Sequence, residues 1–375
     1  MAVKLPRTKV IRLLPTLDFG GVESRAILQS ELHDRDRIEL RVCTFHRDGA
    51  AAQSIRALGV PVDVLHQDPA VRNPRATWAL ARYLLQQRPD IVHSSIVEAN
   101  FHALARPPLF RRTRFIVEEV GSPAHGRFAR VAFSALYRRA DRIVGVSQAT
   151  CDYLTSVDHA PRDKVRLIYN CAAQRYFSNS EPARRSSAAR REAGHAFRFL
   201  LIGRLVEVKN HVTILRALSQ VKHRGLDFEL LIVGEGPLRA ELEAQTATLG
   251  LSDNVQFRGF DPNVRALLLD ADVFLLPSHS EGCSISLVEA MATALPALGS
   301  AVPGIAEVLG ELADAWTLPA TDTQSWAERL ASLLAADPLL LDETGRAARR
   351  IAFDKFSPTA YLSNLDGLYR ELVAG

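Results

Sequence analysis

Hydrophobic and polar positions along the first 170 residues alternate between two rhythms. Short β-branched and apolar runs at 9–17, 38–45, 61–65, 90–95, 114–119, 141–147 and 164–169 read as strands. Between them lie stretches with apolar residues three and four apart, at 22–34, 50–58, 77–87 and 98–105. These read as helices, the third ended by Pro89. Gly20-Gly21 marks the first strand-to-helix turn. Apolar strands separated by longer helical stretches predict a parallel sheet covered on both faces.

The rhythm breaks at 178–195, S-N-S-E-P-A-R-R-S-S-A-A-R-R-E-A-G-H, which has little to bury. A domain boundary is expected there, its second part able to form an exposed helix. A second series follows, with strands at 197–202, 228–233, 255–257, 273–277 and 297–298. Its helices fall at 211–223, 238–249, 286–293, 306–309, 326–335 and 358–373. The expected fold is α/β, two doubly wound Rossmann-like domains facing a cleft. They are an N-terminal domain (1–177), a linker (178–195), a C-terminal domain (196–357) and a last helix (358–375). Ligands of open α/β sheets bind outside the carboxyl ends of the strands.

Composition narrows the class. The 375 residues exceed one typical core. With 47% apolar and 23% charged residues, the chain has the balance of a soluble globular protein. A net charge of +4 is too mild for nucleic acid as a bulk ligand. Arg106, Arg111, Arg112, Arg114, Arg127, Arg130, Arg138, Arg139 and Arg142 cluster in sequence, opposed only by Glu118, Glu119 and Asp141. They form either a solvated face or a patch that meets anionic lipid headgroups or a phosphorylated acceptor. Cys43, Cys151, Cys171 and Cys283 have neither C-x-x-C nor metal-ligand spacing, as in a reduced cytosolic protein. No apolar run reaches the roughly 18 residues of a membrane span. The start lacks the apolar core of a secretory signal. The expected location is cytoplasmic, with any membrane contact peripheral, on its inner face.

Three segments carry candidate chemistry. In H-S-E-G-C-S-I-S-L-V-E-A-M-A-T-A-L-P, Glu281 stands on a loop and Glu289 in the helix that follows. Amides at that helix start attract phosphate, and a carboxylate one or two turns in can accept a ribose diol. Two glutamates near a helix start are also ordinary dipole partners. In L-I-G-R-L-V-E-V-K-N, a strand ends at Gly203 and presents Arg204 and Lys209. They form either a cationic clamp on a diphosphate or a plain basic loop. In G-G-V-E, Gly20 and Gly21 allow close approach of backbone to a ligand, or simply a tight turn.

In order and spacing these segments resemble family 4 of the retaining glycosyltransferases (glycosyl transferases group 1), which have the GT-B fold. The likeness covers nearly the whole chain and includes V-G-E-G-P-L, V-Q-F-R-G-F and V-P-G-I-A-E-V-L. The resemblance implies that Arg204 and Lys209 bind the donor diphosphate and that Glu289 binds the ribose. Glu281 would contact the transferred sugar, and Gly282 and amides at Cys283, Ser284 and Ile285 would hold sugar or phosphate oxygens. Backbone at Arg258, Gly259 and Phe260 would read the base, Gly234 would line the donor site, and Gly20 and Gly21 would approach the phosphates. Asn170 matches an I-Y-N element. His93, His125 and Asn170 are candidate acceptor or sugar contacts, the resemblance implying an acceptor-binding N-terminal domain, a nucleotide-sugar-binding C-terminal domain and a last helix that returns to the first domain. No cofactor and no metal is expected, and no Asp-x-Asp motif is placed to bind one.

The chain also departs from the family's pattern. Gly282-Cys283-Ser284 replaces Gly-Phe-Gly, so Ser284 would narrow the sugar pocket. Ala294 stands where relatives often carry glycine, Cys171 follows Asn170 in place of glycine, and Val120 takes the place of a histidine.

The implied partners are a nucleotide diphosphate sugar and an acceptor glycan, lipid-linked sugar or small molecule, with an anionic membrane surface as a candidate. The implied role is bacterial cell-surface polysaccharide or glycolipid synthesis; glycosylation of a small metabolite is the alternative. An epimerase on the same fold and a catalytically silent binding protein are rivals. The main rival is a dinucleotide oxidoreductase, which Gly234-x-Gly236 after a strand invites; its fingerprint fails because Arg239 occupies the place that needs a small third residue.

Overall fold

Seven parallel strands carry the first part of the chain. They are β1 (Thr8–Leu14), β2 (Ile38–Thr44), β3 (Val62–Val64), β4 (Ile91–Ser95), β5 (Arg114–Glu119), β6 (Arg142–Gly145) and β7 (Val165–Leu167). Their order in the sheet is β3-β2-β1-β4-β5-β6-β7, so the winding reverses between β1 and β4. The computed structural model describes residues 7–18, 20–121, 127–178, 186–261 and 263–374, with backbone alone at 127–129 and 188. Helices such as Gly21–Leu32, Pro74–Gln87 and Val97–Leu104 link the strands. Ile11, Leu13, Phe45, Leu80, Val92 and Phe115 form a shared core. The interiors of β1, β4 and β5 are buried almost throughout, as a sheet covered on both faces requires.

The second sheet has six parallel strands: β8 (Arg198–Ile202), β9 (Glu229–Val233), β10 (Val255–Gly259), β11 (Val273–Leu276), β12 (Ala297–Ser300) and β13 (Thr317–Leu318). Its order is β10-β9-β8-β11-β12-β13, and the winding reverses between β8 and β11. Both units are therefore Rossmann-like α/β layers.

The chain divides into one compact unit running to Asn170 and resumed at Pro358, and a second formed by Cys171–Ser357. The first unit ends earlier than position 177 because the following segment is stitched to the second. Ala172 N donates to Phe356 O (3.3 Å), Arg265 Nε to Arg175 O (2.9 Å) and Arg349 Nη2 to Phe177 O (3.0 Å).

The expected linker is structured at its far end, while 179–185 lies outside the described residues. Ser187–Glu192 is a helix of the second unit, not an exposed one. Its Arg190 is 1% exposed and pairs with Asp270 and Asp272. A charged stretch reads as solvated in sequence, but here its charges find partners within the unit. The helix Pro338–Phe356 had no counterpart in the periodicity. Its inner face includes small residues, Gly345, Ala348 and Ala352, which let it approach closely. A Cβ at Gly345 would run into the Ala294 carbonyl. The last helix, Pro358–Ala374, packs in the first unit, where Tyr369 accepts from Gln29 Nε2 (3.0 Å).

Candidate functional site

In the second unit, the residues singled out in sequence gather at the carboxyl ends of β8 and β11, the strands where the winding reverses. β8 delivers the loop Gly203–Asn210, ending in a short 3₁₀ turn, Glu207–Lys209. β11 delivers the loop carrying Glu281 and then the helix Ile285–Ala292. His279 N donates to Val208 O (2.8 Å), Asn210 Nδ2 to Pro277 O (3.0 Å), and Ser286 Oγ to Ile202 O (3.2 Å). These three bonds fix the two loops and the helix start to one another.

The glycines are there because backbone crosses backbone. Gly234 has φ +139°, and a Cβ there would strike the Gly203 carbonyl. A Cβ at Gly304, in the V-P-G-I-A-E-V-L segment, would strike the carbonyls of Glu281 and Gly282. The helix Pro303–Leu309 is thereby a support under the Glu281 loop.

Lys209 Nζ pairs with Glu281 Oε1 at 2.5 Å, and Ser278 Oγ donates to the same oxygen at 2.7 Å. Arg204 is exposed and has no ion-pair partner among the described residues. Next to the loop, His211 is buried; burial, and then the charge of Lys209, lower it to about 4. It is neutral, which leaves Arg204 and Lys209 to supply the loop's positive charge. The helix Ile285–Ala292 adds amides at its first turn, where intrahelical partners are lacking. Among the described residues, no group of three or more His, Cys, Asp or Glu side chains could hold a metal ion.

Ser284 has a structural task. It is the N-cap of this helix, its Oγ accepting from Leu287 N and lying 3.2 Å from Ser286 Oγ. Its hydroxyl is turned to the helix, and Cys283 beside it is buried. Ala294 adopts φ +60° after the helix, a left-handed conformation that explains why glycine suits the position.

Glu289 is raised to about 7 by burial, against the hydrogen bond from Tyr176 and the charge of Arg175, which lower it. Both neighbours come from the segment just past Asn170, and no local pattern in the sequence signalled them. At β10, Gly259 has φ +73° and its carbonyl accepts from Gly234 N (2.8 Å). Arg258 and Phe260 remain largely exposed beside it, with Asp261 3.6 Å from Arg258.

The other candidates lie in the first unit. Gly20 caps the helix Gly21–Leu32, and both glycines are exposed. Asn170 is buried at the unit's last residue. His125 lies outside the described residues. His93 is no surface contact. It is 1% exposed on β4, opposite Arg12, its Nδ1 2.9 Å from Tyr369 Oη and its Nε2 3.6 Å from Glu118. Burial, then the charge of Arg12, push it down to about 4. Glu118 in turn pairs with Arg12 (2.5 Å) and Arg25, both buried. A histidine ending a strand reads as a ligand contact in sequence; here the returning C-terminal helix covers it.

The arginine cluster is partly neutralised. Arg114 pairs with Asp141 (3.3 Å), Arg142 with Glu371, and Arg130 approaches Asp158 (3.9 Å). Arg106 lies over the Phe115 ring. Arg111, Arg112 and Arg138 stay exposed without an ion-pair partner among the described residues.

Comparison with known proteins matches residues 19–172 to the family described as Glycosyltransferase Family 4 and residues 184–351 to Glycosyl transferases group 1. The putative colanic acid biosynthesis glycosyltransferase WcaL of Salmonella typhimurium is 29% identical over 248 residues, 64% of this chain and 59% of the relative. The amylovoran biosynthesis glycosyltransferase AmsK of Erwinia amylovora is 36% identical over 152 residues, 38% of this chain and 37% of the relative. The matches thus span between a third and three fifths of these relatives' length. Among solved structures, Anabaena HepE in complex with UDP and glucose superimposes with TM-score 0.82 at 20% identity, covering 97% of this chain and 100% of that one.

Proposed function

Because the chain belongs to the family 4, group 1 glycosyltransferases and has their GT-B fold, we propose that it moves a sugar from a nucleotide diphosphate donor to an acceptor hydroxyl, retaining anomeric configuration and using no metal ion. The observation that carries this reading is the convergence of Arg204, the Lys209–Glu281 pair and the start of the Glu289 helix at the β8/β11 reversal. Strand reversals of this kind are where open α/β sheets bind nucleotides.

In the proposed reaction, the bond between the anomeric carbon and the β-phosphate oxygen breaks, and the nucleotide diphosphate leaves with the electron pair. The acceptor oxygen bonds to the same face of that carbon and gives its proton to a phosphate oxygen. Negative charge grows on the β-phosphate as the bond breaks. Arg204, Lys209 and the helix amides meet that charge more strongly in the transition state than in the bound donor, which lowers the barrier. Glu289 takes the ribose hydroxyls, Glu281 a hydroxyl of the sugar, and backbone near Arg258 and Phe260 the base.

The acceptor is proposed to be a glycan or lipid-linked sugar of cell-surface polysaccharide synthesis, which the names of the WcaL and AmsK relatives support. Among the described residues no helix is long and apolar enough to cross a membrane. Peripheral contact with anionic lipid is proposed through exposed Arg111 and Arg112, near Leu109, which is 63% exposed. Failure to co-sediment with anionic vesicles at low salt would remove that part.

A thermal-shift panel of nucleotide sugars, followed by an assay of acceptor-dependent nucleotide diphosphate release in excess EDTA, tests the central reading. Stabilisation by one donor and release only with acceptor are expected. No stabilisation by any nucleotide sugar, or loss of turnover in EDTA, overturns the donor or the metal-free part respectively. Interconversion of sugar nucleotides without release would point to an epimerase.

A further inference from the structure

Tyr176 has no role in the reaction as described, yet its hydroxyl donates to Glu289. The residue is 2% exposed and ends the short 3₁₀ turn Gln174–Tyr176. Burial, and then the charge of Glu289, raise its hydroxyl to about 12, so it stays a donor throughout the neutral range. The turn is held firmly. Arg265 Nε donates to the carbonyl of Arg175 (2.9 Å) within it, and Arg349 Nη2 to that of Phe177 (3.0 Å) just after it. The same Arg349 guanidinium donates through Nη1 to Ala292 O (2.6 Å), the last residue of the helix that carries Glu289. One side chain thus ties together the turn that holds the phenol and the helix that holds the carboxyl.

A carboxylate offers about four lone-pair sites. A single phenol takes one of them and fixes the direction of the group, leaving the remainder for two neighbouring hydroxyls. Arg175 adds a positive charge close by, favouring the charged acceptor form. Without the phenol, the carboxyl would be free to rotate, and it would lose a hydrogen bond that offsets the cost of its burial.

We propose that Tyr176 is a positioning residue of the nucleotide site, aiming the Glu289 carboxylate so that its oxygens meet the ribose 2′- and 3′-hydroxyls. This rests on the reading of Glu289 as the ribose ligand given above. It assigns a donor-binding task to the connecting segment that follows Asn170, outside every motif that marked the site in sequence.

The test is isothermal titration of UDP, GDP and ADP into the wild-type chain, Tyr176→Phe and Glu289→Gln, repeated with the 2′,3′-dideoxy form of whichever nucleotide binds. Tyr176→Phe is expected to weaken the ribonucleotide by about fivefold, the effect of one ordinary hydrogen bond, and to leave the dideoxy nucleotide within about twofold of wild type. In steady state the KM for the matching sugar donor should rise by a similar factor, with kcat nearly unchanged. An equal loss for both nucleotides, or no loss for either, overturns the inference while Glu289→Gln still discriminates between them. If Glu289→Gln binds both as wild type does, or if no nucleotide binds wild type, the ribose reading itself fails and the inference falls with it.

Discussion

Lys209 Nζ lies 2.5 Å from Glu281 Oε1, in a pair whose side chains are 19% and 11% exposed. The two residues proposed to hold opposite ends of the donor's scissile bond are bonded to each other. In the proposed reading, a diphosphate competes with Glu281 for Lys209. Glu281→Gln is expected to bind the nucleotide diphosphate alone about two- to fivefold more tightly, because a charge-assisted bond no longer competes. Its sugar transfer should still fall. Calorimetry with the bare nucleotide alongside a turnover assay checks both halves.

Lys209→Ala and Glu289→Ala should each lower turnover at least roughly tenfold, about 1.4 kcal/mol of barrier, while circular dichroism shows the fold intact. Wild-type turnover in both variants would remove the donor-site assignment.

Two carboxyls, Glu119 buried and Glu289 half-buried, make stability depend on pH. Burial raises both Glu289 and Glu119 to about 7, although Asn100 and Tyr137 donate to Glu119 (2.8 and 3.0 Å). A carboxyl whose folded pKa exceeds its unfolded one binds more protons in the folded chain between the two values. The stabilisation is present below about 4.5 and lost as pH rises through about 7, by up to about 3 kcal/mol for each group. The melting temperature should therefore fall between pH 5 and pH 7.5 through these groups. Glu119→Gln, whose oxygen can still accept from Asn100 and Tyr137, should flatten part of that slope and raise stability at pH 8. A slope unchanged by Glu119→Gln would contradict the argument.

Ala294 carries a left-handed backbone, φ +60°, between the Glu289 helix and β12. That conformation costs a residue with a Cβ about 1–2 kcal/mol. Ala294→Gly removes the strain, set against the greater chain entropy of glycine in the unfolded state. A net gain of about 0.5–1 kcal/mol is expected from denaturant titration, and a loss would show that the alanine methyl contributes packing that outweighs the strain.

In the first unit, Glu118 compensates Arg12 and Arg25, all three buried against β1, β4 and β5. Glu118→Gln leaves two buried guanidinium groups without a counter-charge. A loss of about 3–5 kcal/mol is expected, seen as a lowered urea midpoint with an unchanged slope. A loss under about 1 kcal/mol would mean that water reaches the cluster.

The sequence by itself determined the two α/β series, nearly every strand, and which loops meet at the β8/β11 reversal. Parallel strands buried on both faces are apolar runs, and the loops at their carboxyl ends carry glycines where backbones cross, so both leave a local signal. What the tertiary structure decided is which polar groups meet. The Lys209–Glu281 pair joins residues 72 apart, and the His93–Tyr369 contact joins residues 276 apart. The second contact buries a histidine that was a candidate acceptor or sugar contact. The helix Pro338–Phe356 was missed for a related reason: small residues such as Gly345 and Ala348 signal burial only once the facing backbone is present. Local pattern records how often a chain returns to a core, whereas a buried charge or phenol is settled by the partner desolvated with it, and that partner is set by the fold.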